Sequence, residues 1–395
     1  MAAIEQSDCN HQLDLDITKE SCFRAAQAIE ATVSTSFLVD ILMNRLSIAY
    51  SLDPSIQSLS IDSCIKTKAY CQALQTDIPT WPEEFNSLEK LAIQCFGHWP
   101  AFWCEYEIYK IKQRYPSDSA YKSSALLIDE NLYQSEIVEE IATSNKLYLS
   151  LHHFAPMPLN DAIALINLST LVSVNKWYEI LPKLDISRQG SHFILTYPNS
   201  NDQDTPSTIV SSARIQGWKD AQHWLYFTSF FRNHYWQLCL PNNLNERCFE
   251  LGLFDAKFDY NGSCNQHFED NFSSHIQDKE QICEVLRLTV SGTTTQGAFF
   301  LFLAQKRIMP YLADRNFKLA YTVIEQPWMI RFYETLKYGG YFHSSFRHVE
   351  NSINNTYKGF WVIPSLRYEL EDLDYQSYKH RVIGRIREVK EIDYV

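Results

Sequence analysis

The stretch CEVLRLTVSGTTTQGAFFLFLAQKRIMPYLADRNFKLAYTVIEQPWMIRFYETLKYGGYFH, from Cys283 to His343, decides the fold. It reads strand, helix, strand, helix, strand. CEVLRLTV is apolar, with Val285, Arg287 and Thr289 alternating as in a strand. SGTTTQG is a small polar turn, and a long apolar helix follows from about Gln296 to about Ala313. KLAYTVIEQ is a second strand. Pro327 suits the first turn of a second helix, because its φ is already fixed near the helical value. Gly339 and Gly340 are expected to stop that helix, and GYFHS opens a third strand. Such a strand–helix–strand unit needs a right-handed crossover and a covered sheet.

The 395 residues, 45% of them hydrophobic, suffice for two or three domains with real cores. No apolar run approaches the ~18 residues of a membrane helix. The N-terminal MAAIEQSDCNHQLDLD is polar and acidic, unlike a signal peptide. Ten cysteines occur without C-x-x-C pairs, and reduced thiols in a cytoplasmic protein are expected. The net charge is −12, of which residues 1–165 hold −11 and residues 166–395 hold −1. So acidic a first half argues against a nucleic-acid platform.

Residues 1–20 read as loose. From Ser21, CFRAAQAIEATV, SFLVDILMNRLSIAY, IKTKAYCQALQTD, FNSLEKLAIQCF and AFWCEYEIYKIKQRY place apolar residues at helical spacing. ALLIDENLYQSEIVEEIATSN reads as one or two more helices. The first 145 residues are therefore expected to form a helical domain, without chemistry of its own. KLYLSLHHF shifts towards a period of two, and His152-His153 has no spaced partners for a metal. GSHFILTYPNS (190–200) and STIVSSARIQGW (207–218) make a hairpin-like pair, and YKGFWVIPS (357–365) is a last strand. Residues 219–282 are the least readable. The tail KHRVIGRIREVK carries Lys379, Arg381, Arg385, Arg387 and Lys390.

RFYETLKYGGYF (Arg331–Phe342) resembles the a-x-x-F-Y-E-k-L-G-F helix of the GCN5-related acetyltransferase superfamily. Glu284-Val-Leu-Arg287-Leu followed by Thr322-Val-Ile-Glu325 resembles the E-x-x-R strand and T-V-V-E strand of acyl-homoserine-lactone synthases. Arg214, closing A-R-I on an earlier strand, resembles their a-R-L. The long N-terminal half fits the larger LuxM/AinS type. The resemblance implies an α+β fold: a helical domain over 1–145, an acyltransferase-like mixed sheet flanked by helices over 146–370, and a basic tail over 371–395.

It also implies a reaction. The amine of S-adenosylmethionine attacks a fatty acyl thioester on acyl carrier protein or coenzyme A, and the methionyl carboxylate then closes the lactone and expels methylthioadenosine. No cofactor is expected beyond these substrates. Glu284 is the candidate base, since only the free amine attacks. Arg287 and Arg214 are candidates to hold a carboxylate or an acidic cluster. Backbone N–H groups near Leu288 to Val290 are candidate oxyanion donors. Thr322 matches a residue lining the acyl tunnel, and Phe299, Phe300 and Phe302 are candidates to shape it. Tyr333 matches a tyrosine that protonates a leaving thiolate. Against these stand plain alternatives: a half-buried ion pair, a surface arginine, core phenylalanines and a core tyrosine. On a regular strand an offset of three also puts Glu284 and Arg287 on opposite faces, so the site needs a bulge or a bend.

Two departures matter. The turn before the long helix, Thr294-Thr-Gln-Gly297, keeps only Gly297 of the Q/R-x-x-G-x-G/A pyrophosphate loop, which leans towards a carrier-protein donor or an unusual mode of coenzyme A binding. The W…E-x-D-x-x-D pattern of the short synthases has no counterpart; Trp177 and Asp185 are wrongly spaced. A basic tail suits an acidic carrier protein. The competing readings are an N-acyltransferase acting on another amine and a non-catalytic acyl-binding relative.

Overall fold

A computed structural model describes residues 19–33, 36–117, 121, 126–141, 144–188, 190–200, 205–239, 243–256, 258, 260, 262–324, 326–348 and 355–392. Glu325, and residues 1–18 expected to be loose, lie outside the described residues. The chain forms two compact units, Met1–Ser117 with Asn167–Asp185, and Asp118–Ile166 with Ile186–Val395.

The first unit is helical, with helices Phe37–Leu52, Lys68–Gln75, Glu83–Phe96 and Trp99–Arg114. Thr67 caps the second by accepting the Tyr70 N–H. Glu83 and Glu84 complement the dipole of the third, and Gly97, at φ +82°, ends it. Arg45 is buried among these helices. It pairs with Glu89 at 2.6 Å and donates to the carbonyls of Ala73 and Thr76. A buried charge needs such complete satisfaction.

The second unit is built on a mixed ten-stranded sheet. Its strands are β1 (Gln134–Val138), β2 (Leu147–Ser150), β3 (His153–Pro158), β4 (Ser191–Tyr197), β5 (Ser207–Gly217), β6 (Gln237–Leu238), β7 (Ile282–Val290), β8 (Leu319–Ile324), β9 (Tyr341–His348) and β10 (Asn355–Val362). The main order is β1-β4-β5-β7-β8-β10-β9-β6, with β2 beside β5. β7 and β8 are parallel, joined through helix Thr294–Asp314, as the central stretch predicts. β10 inserts antiparallel between β8 and β9.

Helices Thr294–Asp314, Pro327–Tyr333, Ile363–Glu371 and Tyr375–Ile392 cover one face of the sheet. Phe300, Phe302, Phe332, Leu366 and Tyr378 there share a core with Cys283, Val285, Ala320 and Trp361. The hard-to-read segment 219–282 covers the other face. Its Trp224, Tyr226, Phe254, Phe268 and Phe272 pack on Ile282, Leu319, Tyr321 and Phe360.

Two expectations need correction. The stretch expected to add helices after Ala125 instead contains β1. Local helical spacing yields to an open sheet edge: Gln134–Val138 pair with β4, and Tyr133 lodges against Phe299 and Phe300. The second helix of the central stretch ends at Tyr333, before Gly339-Gly340. Gly339, at φ +61°, instead shapes the turn into β9.

Candidate active site

Strand β7 changes phase part-way along, and this creates the site. Cys283 and Val285 point into the helix-covered core, and Ile282 into the aromatic core opposite. By alternation Glu284 shares the face of Ile282. Regular alternation would send Arg287 back towards the helices. Instead Leu288 and Val290 pack on that side. The extra residue is Arg287, whose φ of +54° lies in the left-handed region. The register with β5 slips at the same place: Arg214 pairs with Leu286, but Ser212 pairs with Thr289. This is a β-bulge, and it brings Glu284 and Arg287 to one face. It also coincides with a parting of the strands. The recorded β7–β8 register covers only Ile282–Glu284 against Leu319–Tyr321. Beyond Glu284 no register joins the two strands, and this break in the pairing is a notch in the middle of the sheet.

Glu284 is 1% exposed. One carboxylate oxygen accepts the Tyr226 N–H at 2.7 Å, and the Arg214 guanidinium lies 3.5 Å from the other. The Leu225 N–H adds a further donor. Arg214 also donates to Gln216 Oε1 at 2.6 Å, and Gln216 stands directly across from Glu284 on β5. Arg287 adds a second positive charge felt by both Glu284 and Arg214. Burial penalises the carboxylate more than Arg214 and the two N–H groups stabilise it, so Glu284 is pushed up to about 7. Burial lowers both arginines, and for Arg287 the like charge of Arg214 adds to it. Both stay cationic near neutrality, as guanidinium does in proteins. The cluster is therefore a carboxyl poised near neutral pH between two cations.

The other expected site residues lie on the helix-covered face. Leu288 and Val290 line it beside the notch. Thr322 is buried there, its hydroxyl donating to the Gly359 carbonyl at 3.3 Å. Phe300 is wholly buried, 5.2 Å from the Tyr133 ring. Tyr333 donates to Gln305 Oε1 at 2.5 Å and accepts from Trp361 Nε1 at 2.9 Å. Burial holds its phenol well above the usual range. So three of the eight residues, Arg214, Glu284 and Arg287, come together on one face, and five lie on the other. The turn before the long helix closes on itself: Thr293 accepts the Gln296 N–H, and Gln296 Oε1 accepts the Thr293 N–H at 2.9 Å. Among the described residues, no three His, Cys, Asp or Glu are grouped to hold a metal ion.

The sequence alone did not single out Gln216, Tyr226, Glu269 or Lys358. Lys358 carried a signal. YKGFWV sets it in phase with buried Phe360 and Val362, where a lysine needs a partner. The Tyr226 main chain had none, since a backbone donor brought from a distant loop leaves no mark on composition.

The family model described as acyl homoserine lactone synthase matches residues 21–391. The acyl-homoserine-lactone synthase LuxM of Vibrio campbellii is 34% identical over 361 residues, covering 91% of this chain and 89% of the relative. The synthase OpaM of Vibrio parahaemolyticus is 35% identical over 331 residues, covering 83% and 82%. Among solved structures, "Crystal structure of TofI in an apo form" aligns with 61% of this chain and 97% of that chain, at 11% identity and a TM-score of 0.28, too distant to bear on the fold. A match of this extent, spanning both compact units and the bulged strand that gathers Glu284, Arg287 and Arg214, leads to one assignment: the chain belongs to the acyl-homoserine-lactone synthase family, whose members are acyltransferases.

Proposed function

We propose that the chain makes an acyl-homoserine lactone, a quorum-sensing signal, from S-adenosylmethionine and a fatty acyl thioester, with Glu284 as the base. The observation carrying this is a buried carboxyl pushed up to about 7, held between Arg214 and the Tyr226 N–H beside the notch. A base with a pKa near the working pH is ionised often enough to act and still accepts a proton readily.

Glu284, directly or through water, takes a proton from the substrate ammonium. The freed nitrogen attacks the thioester carbonyl. An N–C bond forms, the C–S bond breaks, and the thiol of the carrier leaves with a proton. N–H groups of β7 near Leu288 to Val290, beyond the part paired with β8, stabilise the tetrahedral oxyanion. Arg214 and Arg287 hold the methionyl carboxylate. That carboxylate then attacks its own γ-carbon, the carbon–sulfonium bond breaks, and methylthioadenosine leaves. The sorting of residues supports this division: charged groups stand on one face, and the apolar surface of Leu288, Val290 and Phe300, with Thr322, lies on the other. The fatty chain enters that apolar side through the notch. No cofactor takes part. The donor is carried by acyl carrier protein or coenzyme A, and the enzyme works in the cytoplasm. No single helix among the described residues is long and apolar enough to cross a membrane.

The test is Glu284→Gln, which keeps shape and removes the base. Folded E284Q is expected to lose acylation of S-adenosylmethionine by roughly 10²–10⁴-fold. A wild-type rate in folded E284Q would remove Glu284 as the base.

A further inference from the structure

A second buried charge cluster lies behind the first, on the same face of the sheet. Lys358 of β10 and Glu269 of helix Asn265–His275 form an ion pair with both side chains 0% exposed. Lys358 Nζ also donates to the Phe231 carbonyl at 2.7 Å. It sits 4.0 Å from the centre of the Tyr226 ring and 5.7 Å from that of Trp236. Arg232 Nε approaches the other Glu269 oxygen at 3.5 Å. Desolvating two charges is costly, and hydrophobic residues of similar volume would often serve stability as well. What this pair holds is therefore informative. Beyond Glu269, the Lys358 ammonium meets Phe231, Tyr226 and Trp236, all on the segment from Tyr226 to Trp236. Tyr226 is its near end: the main-chain N–H binds Glu284 at 2.7 Å, and the hydroxyl meets Ser344 Oγ at 3.2 Å.

We infer that Lys358 and Glu269 are positioning residues that hold the Leu225–Tyr226 main chain against Glu284, and so fix the base's donors. The inference rests on Glu284 being the base. Three charged groups act on that carboxyl from its own face, Arg214 from β5, Arg287 from β7 and Lys358 from β10, while the neighbouring Cys283 thiol of β7 lies on the helix-covered side. Glu269 and Arg232 also act on Lys358. Replacing the ion pair as a unit leaves the net charge unchanged but removes the Lys358 charge that Glu284 feels, so Glu269→Asp, which keeps both charges, is measured beside it and separates lost donors from lost charge. Hydrogen bonds to a carboxylate favour its charged form. Losing them raises the pKa, and the acidic limb of the pH–rate profile moves to higher pH.

The experiment compares wild type, Lys358→Met/Glu269→Gln, Glu269→Asp and Glu284→Gln, each shown to be folded by its melting curve. It reads kcat/KM for S-adenosylmethionine across pH at a saturating acyl donor. The substrate amine titrates identically in all, so a difference belongs to the enzyme. The double variant is expected to lose about tenfold in kcat/KM at neutral pH, with its acidic limb moved up by about half a unit or more. A limb at the wild-type position in either variant of the ion pair, whatever the rate, overturns the inference. Glu269→Asp is read the same way, and alone should the double variant not fold, because the shorter acid draws Lys358 away from Phe231 and Tyr226. Wild-type activity in E284Q would reject the base and this inference together; an inactive E284Q with an unmoved limb rejects the inference alone.

Discussion

Glu284 is an acid whose burial opposes its own charge, and that has a consequence for stability. Its folded pKa, about 7, lies above the ordinary value of 4.5. Between those values the folded protein binds the proton more tightly than the unfolded chain does. Stability from this group is full below about 4.5 and is lost as pH rises through about 7. The difference corresponds to about 3 kcal/mol at pH 8. E284Q resembles the protonated form at every pH. It is therefore expected to be more stable than wild type by up to that amount at pH 8, with the gap closing below about pH 5. Urea titrations at the two pH values check this. A gap that does not change with pH would mean that Glu284 is not held near neutrality. Activity should run the opposite way, rising as pH passes about 7 and the base ionises.

Among the elements, the bulge in β7 decides the site. A left-handed arginine costs about 1–2 kcal/mol relative to an unstrained residue, and glycine escapes that cost. Arg287→Gly and Arg287→Ala both lose the guanidinium, so both should be nearly inactive. R287G should nevertheless be more stable than R287A by about 1 kcal/mol, as read from denaturant midpoints. Equal stabilities would mean that the turn at residue 287 relaxes once the arginine is gone. The sequence showed the need for a bulge or a bend without showing which. E-x-x-R demands that two residues three apart meet, yet no Gly, Asn or Asp marks the left-handed turn. The strand–helix–strand core was legible because apolar period and turn residues are local properties. β1 was not, because strand pairing at a sheet edge is decided by β4, some fifty residues later. The cover over the Glu284 face was also hidden. Its aromatic residues take their positions from Ile282, Tyr321 and Phe360, not from a period of their own.

At the scale of the molecule, the charged face that holds Glu284 and the apolar face that holds Leu288 and Val290 flank one notch. The donor must reach that notch while its carrier stays outside. The terminal helix offers positive charge, though Arg381 pairs with Glu369 at 3.4 Å and Arg385 with Glu334 at 2.9 Å. Arg387 is exposed. Replacing Arg381, Arg385 and Arg387 by Gln should raise KM for a carrier-protein thioester several-fold and leave KM for S-adenosylmethionine unchanged. An unaltered donor KM would place carrier docking elsewhere. The most direct test of the whole account is mass spectrometry on purified protein given S-adenosylmethionine and an acyl thioester, counting both products. Acyl-homoserine lactone and methylthioadenosine are expected in equal amounts, both lost in E284Q. An acylated amine formed without methylthioadenosine would contradict it.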